Sequence, residues 1–492
     1  MRKTFTSKGL YLGKTDSESE NRDLLDFFHD YAGVFDDINN GRFIITGRKG
    51  AGKSAYAVYL QEKSNIDDSL WCERVKSYEF DLEKIIQNIP DGFIRFEAFY
   101  EWIILTKLAK LIIDSELGKY TGEYRALELF YQRNSGLVDI DKYVVAEVLT
   151  NQEVNFAPLN SKFGFFSRVF GYKKTKAQFY QMIKPLRETI VSILEKPVYK
   201  EASFYVIFDD LDIKFNYNVD SNRTMLMDLI RIAKEYNTDA LLRTNARVLL
   251  FLRDDIEDCL KGEESDTSKT FVSATSCINW YAMDKNKEDV SDSHLKQFIN
   301  DRLRFAFEKL HIPYNQEDPW SSFVEPEFSY SNAIRQWKKP SFKAVLDHTF
   351  YLPRDVMSIF INIGKLDWKL PLKQDQVYEL LFKFSKIKRD EIYDELKYIL
   401  SSKERDLVFE ILRKISIKDG NSYEEVMSII NDCGMPSVTF KILVDYSLIV
   451  PMDKDSRKYY YNYREQEISD DFENYDYKVH KILYLYFTAR NH

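Results

Sequence analysis

The sequence predicts an α/β protein on a parallel sheet, followed by a helical segment and a small helix-and-hairpin domain near the C-terminal end. Three observations carry this expectation. Short apolar runs of strand length, such as Phe204–Phe208 and Arg247–Leu252, alternate with helical stretches, the mark of parallel strands buried on both faces. A glycine-rich loop joins another such run, Arg42–Thr46, to a helical segment over Ser54–Lys63. The last ~90 residues carry three helical runs, an apolar run and a charged turn.

Taken in chain order, residues 1–40 are polar and acidic, with a helix expected from about Ser17 to Tyr31. Asn39-Asn40-Gly41 is a turn signal that opens the core, expected over 41–283. Strands are expected at Arg42–Thr46, Glu73–Phe80, Phe204–Phe208, Arg247–Leu252 and Cys277–Met283, and helices at Phe93–Asp114 and Ala177–Lys196. The poorly patterned stretch 115–175 reads as an insertion and ends in the basic run Arg168–Lys174. Helices at Asp292–Leu310, Phe342–Phe350 and Pro353–Lys365 make 284–402 a lid and linker. Helical runs at 403–416, 422–431 and 437–447 precede Leu448–Met452, a turn at Asp453–Lys458 and the run Tyr459–Tyr463. Three helices and a hairpin make 403–465 a winged helix, and 466–492 holds a last amphipathic helix from about Tyr477 to Thr488.

Composition narrows the classes. Lys plus Arg is 70 and Asp plus Glu is 78, a formal charge of −8, without the basic balance of a nucleic-acid binder. Cys72, Cys259, Cys277 and Cys433 have no CxxC spacing and read as reduced, mostly buried thiols of a cytoplasmic protein. The six histidines are dispersed and suggest no metal site. The N-terminus lacks an apolar signal-peptide core, and Trp102–Ile113 is too short to span a bilayer and reads as a buried amphipathic helix.

The chemistry concentrates at three strand ends. Gly47-Arg48-Lys49-Gly50-Ala51-Gly52-Lys53-Ser54 matches G-x-x-x-x-G-K-[ST] in full, between a strand and a helix. Its glycines let backbone N–H groups turn toward phosphate at a helix N-terminus, Lys53 reaches the β- and γ-phosphates, and Ser54 offers a hydroxyl to Mg²⁺. The apolar run Phe204–Phe208 ends in Asp209-Asp210-Leu211-Asp212. There Asp209 is the expected Mg²⁺ ligand and Asp210 the base that orients water, one methylene shorter than the more usual Glu. Asp212 reads equally as a functional carboxylate and as a helix cap or surface pair. Arg253 tips the next strand as a sensor of the γ-phosphate; the competing reading is an ion pair with Asp254 or Asp255.

These residues resemble the ASCE division of P-loop NTPases, and within it the bacterial KAP-like and STAND-like ATPases related to AAA+ proteins. The resemblance covers most of the chain, and Tyr11–Glu18 looks like the lead-in of one group of such proteins. It implies a P-loop NTPase core with a helical lid and C-terminal winged helix, ATP and Mg²⁺ as cofactors, and slow hydrolysis. Tyr351-Leu352-Pro353-Arg354-Asp355-Val356 resembles the element that opens a lid helix, which makes Arg354 a second sensor; a plain helix start is the alternative. The implied biology is a nucleotide-dependent switch in bacterial anti-phage defence or stress signalling, with a partner effector or as a homo-oligomer. No arginine lies between Asp254 and Ser276, where ring-forming relatives place a trans-acting finger, so a switch fits better than a hexameric motor. Competing readings are a DNA-acting ATPase (loader, repair or initiator-like) and a non-hydrolysing nucleotide-binding scaffold. Nucleic acid is disfavoured as a partner. Residues 403–465 carry ten Lys/Arg against eleven Asp/Glu, and the third helix offers no Arg, Asn or Gln to base edges. The turn cations Lys454, Arg457 and Lys458 could touch a phosphate backbone.

Overall fold

A computed structural model describes residues 5–15, 20, 23–76, 95–133, 148–150, 175–177, 179–211, 220–260, 265–284, 292–331, 335–461, 463 and 471–488. They form two compact units, Leu24–Ile278 and Met1–Asp23 with Asn279–His492. The sequence reading instead divided the chain after residues 40 and 283.

The first unit is built on a five-stranded, all-parallel sheet, compatible with a P-loop-like core. Its strands are β1 (Ile44–Gly47), β2 (Leu70–Lys76), β5 (Ser203–Asp209), β6 (Ala246–Arg253) and β7 (Thr275–Cys277), in the order β2-β5-β6-β1-β7. A separate antiparallel pair, β3 (Val148–Thr150) and β4 (Thr175–Ala177), lies in and beside the expected insertion. Most of that insertion, including the Arg168–Lys174 run, is outside the described residues. The expected strand Cys277–Met283 is shorter and earlier. β7 stops at Cys277, and Trp280–Asp284 is helical, because Asn279 Oδ1 accepts the N–H of Ala282 and turns the chain.

Continuous apolar runs place β1, β5 and β6 in the middle, where both faces are buried. The helices of this unit are α1 (Asp23–Phe27), α2 (Val34–Asn39), α3 (Lys53–Ser64), α4 (Arg95–Asp114), α5 (Gly122–Arg133), α6 (Phe179–Leu194), α7 (Asp220–Glu235), α8 (Asp254–Leu260) and α9 (Ser265–Ala274). Only Asp23–Phe27 of the expected Ser17–Tyr31 helix is helical among the described residues. The stretch expected as an amphipathic helix lies in α4, which is buried nearly all round from Phe99 to Ala109. Its two lysines, Lys107 and Lys110, both pair with Glu73 of β2, at 2.8 and 2.9 Å. No helix among the described residues is long and apolar enough to cross a membrane. Of the cysteines only Cys72 is buried; Cys259 and Cys277 are exposed, against the expectation of mostly buried thiols. Both sit where the chain leaves a helix or strand end, outside the sheet core.

The second unit is helical, with α10 (Trp280–Asp284), α11 (His294–Lys309), α12 (Pro319–Phe323), α13 (Ser341–Leu346), α14 (Pro353–Phe360) and α15 (Gln374–Glu395). The N-terminal segment is anchored here. Ser7 and Gly9 donate backbone N–H groups to Trp368 and Gly364, and buried Arg302 of α11 donates to the Leu12 carbonyl and to Glu20. Gly13, at φ +97°, is required: a Cβ there would stand 2.0 Å from Arg302 Nη1. The described part of the Tyr11–Glu18 lead-in therefore acts as a clamp. Asp355, in the first turn of α14, accepts from the Phe350 N–H and from buried Lys388 of α15, at 2.8 and 2.7 Å. The unit also holds an antiparallel hairpin, β8 (Glu327–Ser331) and β9 (Gln336–Pro340).

Farther on, α16 (Ser402–Ile415), α17 (Tyr423–Asp432) and α18 (Val438–Asp445) follow one another. Ser401/Glu404 and Ser422/Glu425 close capping boxes at the first two. β10 (Ile449–Asp453) pairs antiparallel with β11 (Tyr475–Val479), and Asn421 bridges Tyr477. This corrects the expected hairpin. Tyr459 makes only an isolated bridge to Met452, while the strand partner comes from the stretch read as the last helix, which starts later as α19 (Lys481–Thr488). The physical reason is alternation: Tyr475, Tyr477 and Val479 are buried and Asp476 and Lys478 are not.

His348, following α13, donates from Nδ1 to the Ala344 carbonyl and is buried, which pushes its pKa down from 6.5 to about 4. A histidine held neutral in the fold contributes stability that is present above the unfolded pKa and is lost as pH falls toward 4. The loss amounts to about 3 kcal/mol. The unfolding midpoint of the wild type should therefore fall more steeply between pH 6.5 and 4 than that of His348→Gln. Parallel profiles would rule this out.

Candidate functional site

Parallel register brings the C-terminal ends of three strands to one edge of the sheet. Gly47 of β1 stands opposite Arg253 of β6, while Asp209 ends β5 on the far side of β6. Such an edge is where open α/β sheets bind ligands. Arg253's strand thus separates the glycine-rich loop from the carboxylates, and the loop folds across to them.

The loop needs its glycines. Gly50 and Gly52 sit at φ +88° and +102°, in the left-handed region, and Gly52 caps α3, whose first residues are Lys53 and Ser54. At Gly47 a Cβ would meet the Ile278 carbonyl at 2.9 Å. Lys53 folds back over the loop, its ammonium donating to the carbonyls of Gly47 and Arg48 at 2.6 and 3.1 Å. Arg48 and Lys49 lie in the turn between the strand and Ala51, which is buried. Asp254, at the start of α8, faces this loop. Burial lifts its carboxyl above the usual range, and the charges of Arg48 and Lys53 only partly offset the lift.

Asp209 is buried, and one of its oxygens, Oδ1, lies 3.5 Å from Ser54 Oγ and accepts the N–H of Asp210. The other oxygen takes two donors from Arg74 of β2, Nε at 3.1 Å and Nη2 at 2.5 Å. The same Nη2 stands 3.6 Å from the Asp210 carboxylate. One guanidinium, itself only 3% exposed, therefore balances two adjacent carboxylates. Asp210 occupies the left-handed region at φ +56°, a conformation that costs free energy in a non-glycine residue. Its position is set jointly by Arg74 and the strand end.

Arg253 is held by Asp255, with Nε and Nη2 donating to the two carboxylate oxygens at 2.9 and 2.6 Å. Arg354 belongs to the other unit, in the first turn of α14, and makes no hydrogen bond or ion pair among the described residues. A cation at a helix N-terminus without a partner is electrostatically unfavourable. Asp212 lies outside the described residues.

Arg74 was not singled out in the sequence, and Asp254 was named only as a partner offered to Arg253, not as a neighbour of the loop. The signal for Arg74 was present: it falls with Leu70 and Cys72 on the buried face of the alternating strand β2, and a buried arginine calls for a carboxylate nearby. Asp254 gave none, because only the fold of the loop brings Lys53 toward it.

The donor set fits a nucleotide phosphate and a hard cation. Ser54 Oγ and Asp209 Oδ1 are neutral and anionic oxygens 3.5 Å apart, suited to a small divalent ion, directly or through water. Lys53 and the loop N–H groups suit a phosphate chain. In comparisons with family models, with curated proteins and with solved structures, the chain matches none.

Proposed function

We propose that the chain is an ATP- and Mg²⁺-binding P-loop ATPase of the ASCE type that hydrolyses slowly and works as a nucleotide-dependent switch. The observation that carries this is the contact of Ser54 with Asp209 across an intervening strand. A full G-x-x-x-x-G-K-[ST] loop on one strand and a buried carboxylate two strands away are the arrangement of that division. Bound Mg²⁺ would supply charge neutralisation at the β- and γ-phosphate oxygens. Ser54 and Asp209 would hold it, Gly47, Arg48, Lys49, Gly50, Ala51 and Gly52 would wrap the phosphates with backbone N–H groups, and Lys53 would exchange its carbonyl partners for them. Asp210 would hold the attacking water, weakly, since its short side chain shares Arg74 with Asp209. That is the reason for expecting slow turnover.

Arg253 and Arg354 complete the reading as sensors, Arg253 on leaving Asp255 and Arg354 as the cation of the α14 turn. On this reading residues 284–402 form a lid and linker, and α16–α18 with β10 and β11 a winged helix that reports the nucleotide state to a protein effector or a second copy, within bacterial defence or stress signalling in the cytoplasm. The exposed face of α18 carries Val438, Lys441 and Asp445, a neutral set suited to protein rather than base edges.

The test is phosphate release with ATP and Mg²⁺ as protein concentration rises, repeated on mixtures of Lys53→Ala and Arg354→Ala. The expected result is a constant low specific activity and no recovery on mixing. No release at all would favour the non-hydrolysing scaffold, and recovery on mixing would mean that one subunit completes another's site.

A further inference from the structure

The hairpin of the second unit is a charge anomaly in an acidic chain. From Phe328 to Leu346 there is no Asp or Glu, while Arg335, Lys338, Lys339 and Lys343 all fall within that span. Pairing of Tyr330 with Trp337 fixes the register, so that Trp337 and Lys339 point to one face of the ribbon and Lys338 to the other. Tyr330 is tied to α15 through a 2.9 Å hydrogen bond between its hydroxyl and that of Tyr378. Trp337 stacks on Tyr330 with centroids 5.7 Å apart and planes 17° apart, and the Arg335 guanidinium stands 5.3 Å from its ring centre. The indole is thus held rigidly, yet 38% of Trp337 remains in solvent.

A second group of residues adds positive charge beside the ribbon. Asp347 accepts from both Lys339 and Lys481, so a single carboxylate serves two ammonium groups. Burial alone would raise its pKa, but the two lysines outweigh burial and hold it at about 2. Lys339 is pushed down from the ordinary lysine value, first by burial and then by the positive charges of Lys481 and Lys343, with Asp347 opposing. The lysines are therefore crowded enough to repel one another, which a purely structural ion pair does not require. Lys338 gives one long contact, 3.2 Å, to exposed Glu327. With Lys338 and Glu327 paired on the opposite face, Arg335, Lys339, Lys343 and Lys481 stand against the single carboxylate Asp347 on and beside the Trp337 face, on a chain whose formal charge is −8.

We infer that the Trp337 face of this hairpin, with Arg335, Lys339 and the neighbouring Lys343 and Lys481, is a binding surface for single-stranded nucleic acid. Crowded cations beside a rigid, partly exposed aromatic stack are what such a ligand uses, through phosphate contacts and base stacking that need no sequence readout. An acidic peptide would satisfy the cations but would leave the Trp337–Tyr330–Arg335 stack without a role. The surface stands on its own residues and does not depend on the nucleotide reading.

The experiment is fluorescence anisotropy of a labelled 30-nucleotide mixed-sequence DNA strand with the full chain at 50 and 200 mM salt. Binding should weaken roughly 10- to 100-fold over that range, as expected for about four neutralised phosphates. Arg335→Glu/Lys343→Glu should bind at least tenfold more weakly with an unchanged unfolding midpoint, since both side chains are exposed. Trp337→Ala should weaken binding about tenfold through lost stacking. Lys53→Ala should bind the strand like the wild type, which separates failure here from failure of the ATPase reading. Absence of binding at 50 mM salt, or equal binding by the charge-reversed variant, would overturn the inference. Displacement of the strand by an equal concentration of polyglutamate would replace it with an acidic-peptide site.

Discussion

Lys53→Ala is expected to lower ATP affinity by at least ~10²-fold while lowering the unfolding midpoint by only a few degrees. The two effects separate because Lys53 has different partners in the two situations. In the fold its ammonium donates to two neutral backbone carbonyls, those of Gly47 and Arg48, each contributing about 1 kcal/mol net. Toward a nucleotide it would make charge-assisted contacts to phosphate oxygens, roughly twice as strong as neutral ones, in a site where Asp254 already adds negative charge. Removing the lysine leaves Asp254 facing the phosphates with less compensation, so the loss in binding exceeds that of one hydrogen bond. Titration calorimetry with ATP and a non-hydrolysable analogue, beside thermal unfolding, measures both quantities. Undiminished affinity would remove the glycine-rich loop from the nucleotide site and with it the whole functional reading.

The parts of the fold legible in the sequence were those with strong local signals. The apolar runs ending at Asp209 and Arg253 are central strands because nothing polar interrupts them, and the register then follows from packing both faces. The helical runs expected at 403–416 and 422–431 are likewise helices, and the structure shows each started by a capping box, at Ser401 and Ser422. What escaped the reading was non-local. Strand β11 pairs with β10 across the intervening turn and tyrosine run, and its alternation was hidden by overlap with a helical pattern that begins only at Lys481. The hairpin of β8 and β9 and the long helix α15 drew no expectation, although α15 spans 22 residues. At the candidate site the loop and the carboxylates were visible as motifs, whereas their partners were not. Arg74 is separated from Asp209 by 135 positions, and only the adjacency of β2 and β5 joins them. Arg253 was read with two alternatives, and its bidentate contact with Asp255 realises the ion pair, so that any sensing by it requires that pair to open.

The Arg74–Asp209 pair makes the second large prediction, in which loss of metal response and loss of stability come apart. Asp209→Ala would take from the buried Arg74 guanidinium the carboxylate oxygen that accepts from both its Nε and its Nη2. Breaking a buried pair from one side costs about 3–5 kcal/mol, enough to lower the unfolding midpoint by several degrees and to mimic a loss of function through misfolding. Arg74→Met removes the other side and takes a shared cation from two adjacent carboxylates, so it should also destabilise. The double variant Asp209→Ala/Arg74→Met removes both charges and keeps most of the volume, so its stability should exceed that of Asp209→Ala alone. Its nucleotide affinity, however, should no longer respond to Mg²⁺, because the oxygen beside Ser54 is gone in both variants that lack Asp209. Arg74→Met retains that oxygen, and its ATP affinity should still rise with Mg²⁺, with a higher Mg²⁺ requirement because the carboxylate is no longer held in place. The measurements are thermal unfolding of the four proteins and ATP titrations with and without Mg²⁺. A double variant less stable than either single one would show that the pair is not what Asp209 contributes to the fold. A Mg²⁺ response that survives the loss of Asp209 would move the metal ligand elsewhere on the sheet edge, with Asp210 and Asp254 the carboxylates left to supply it.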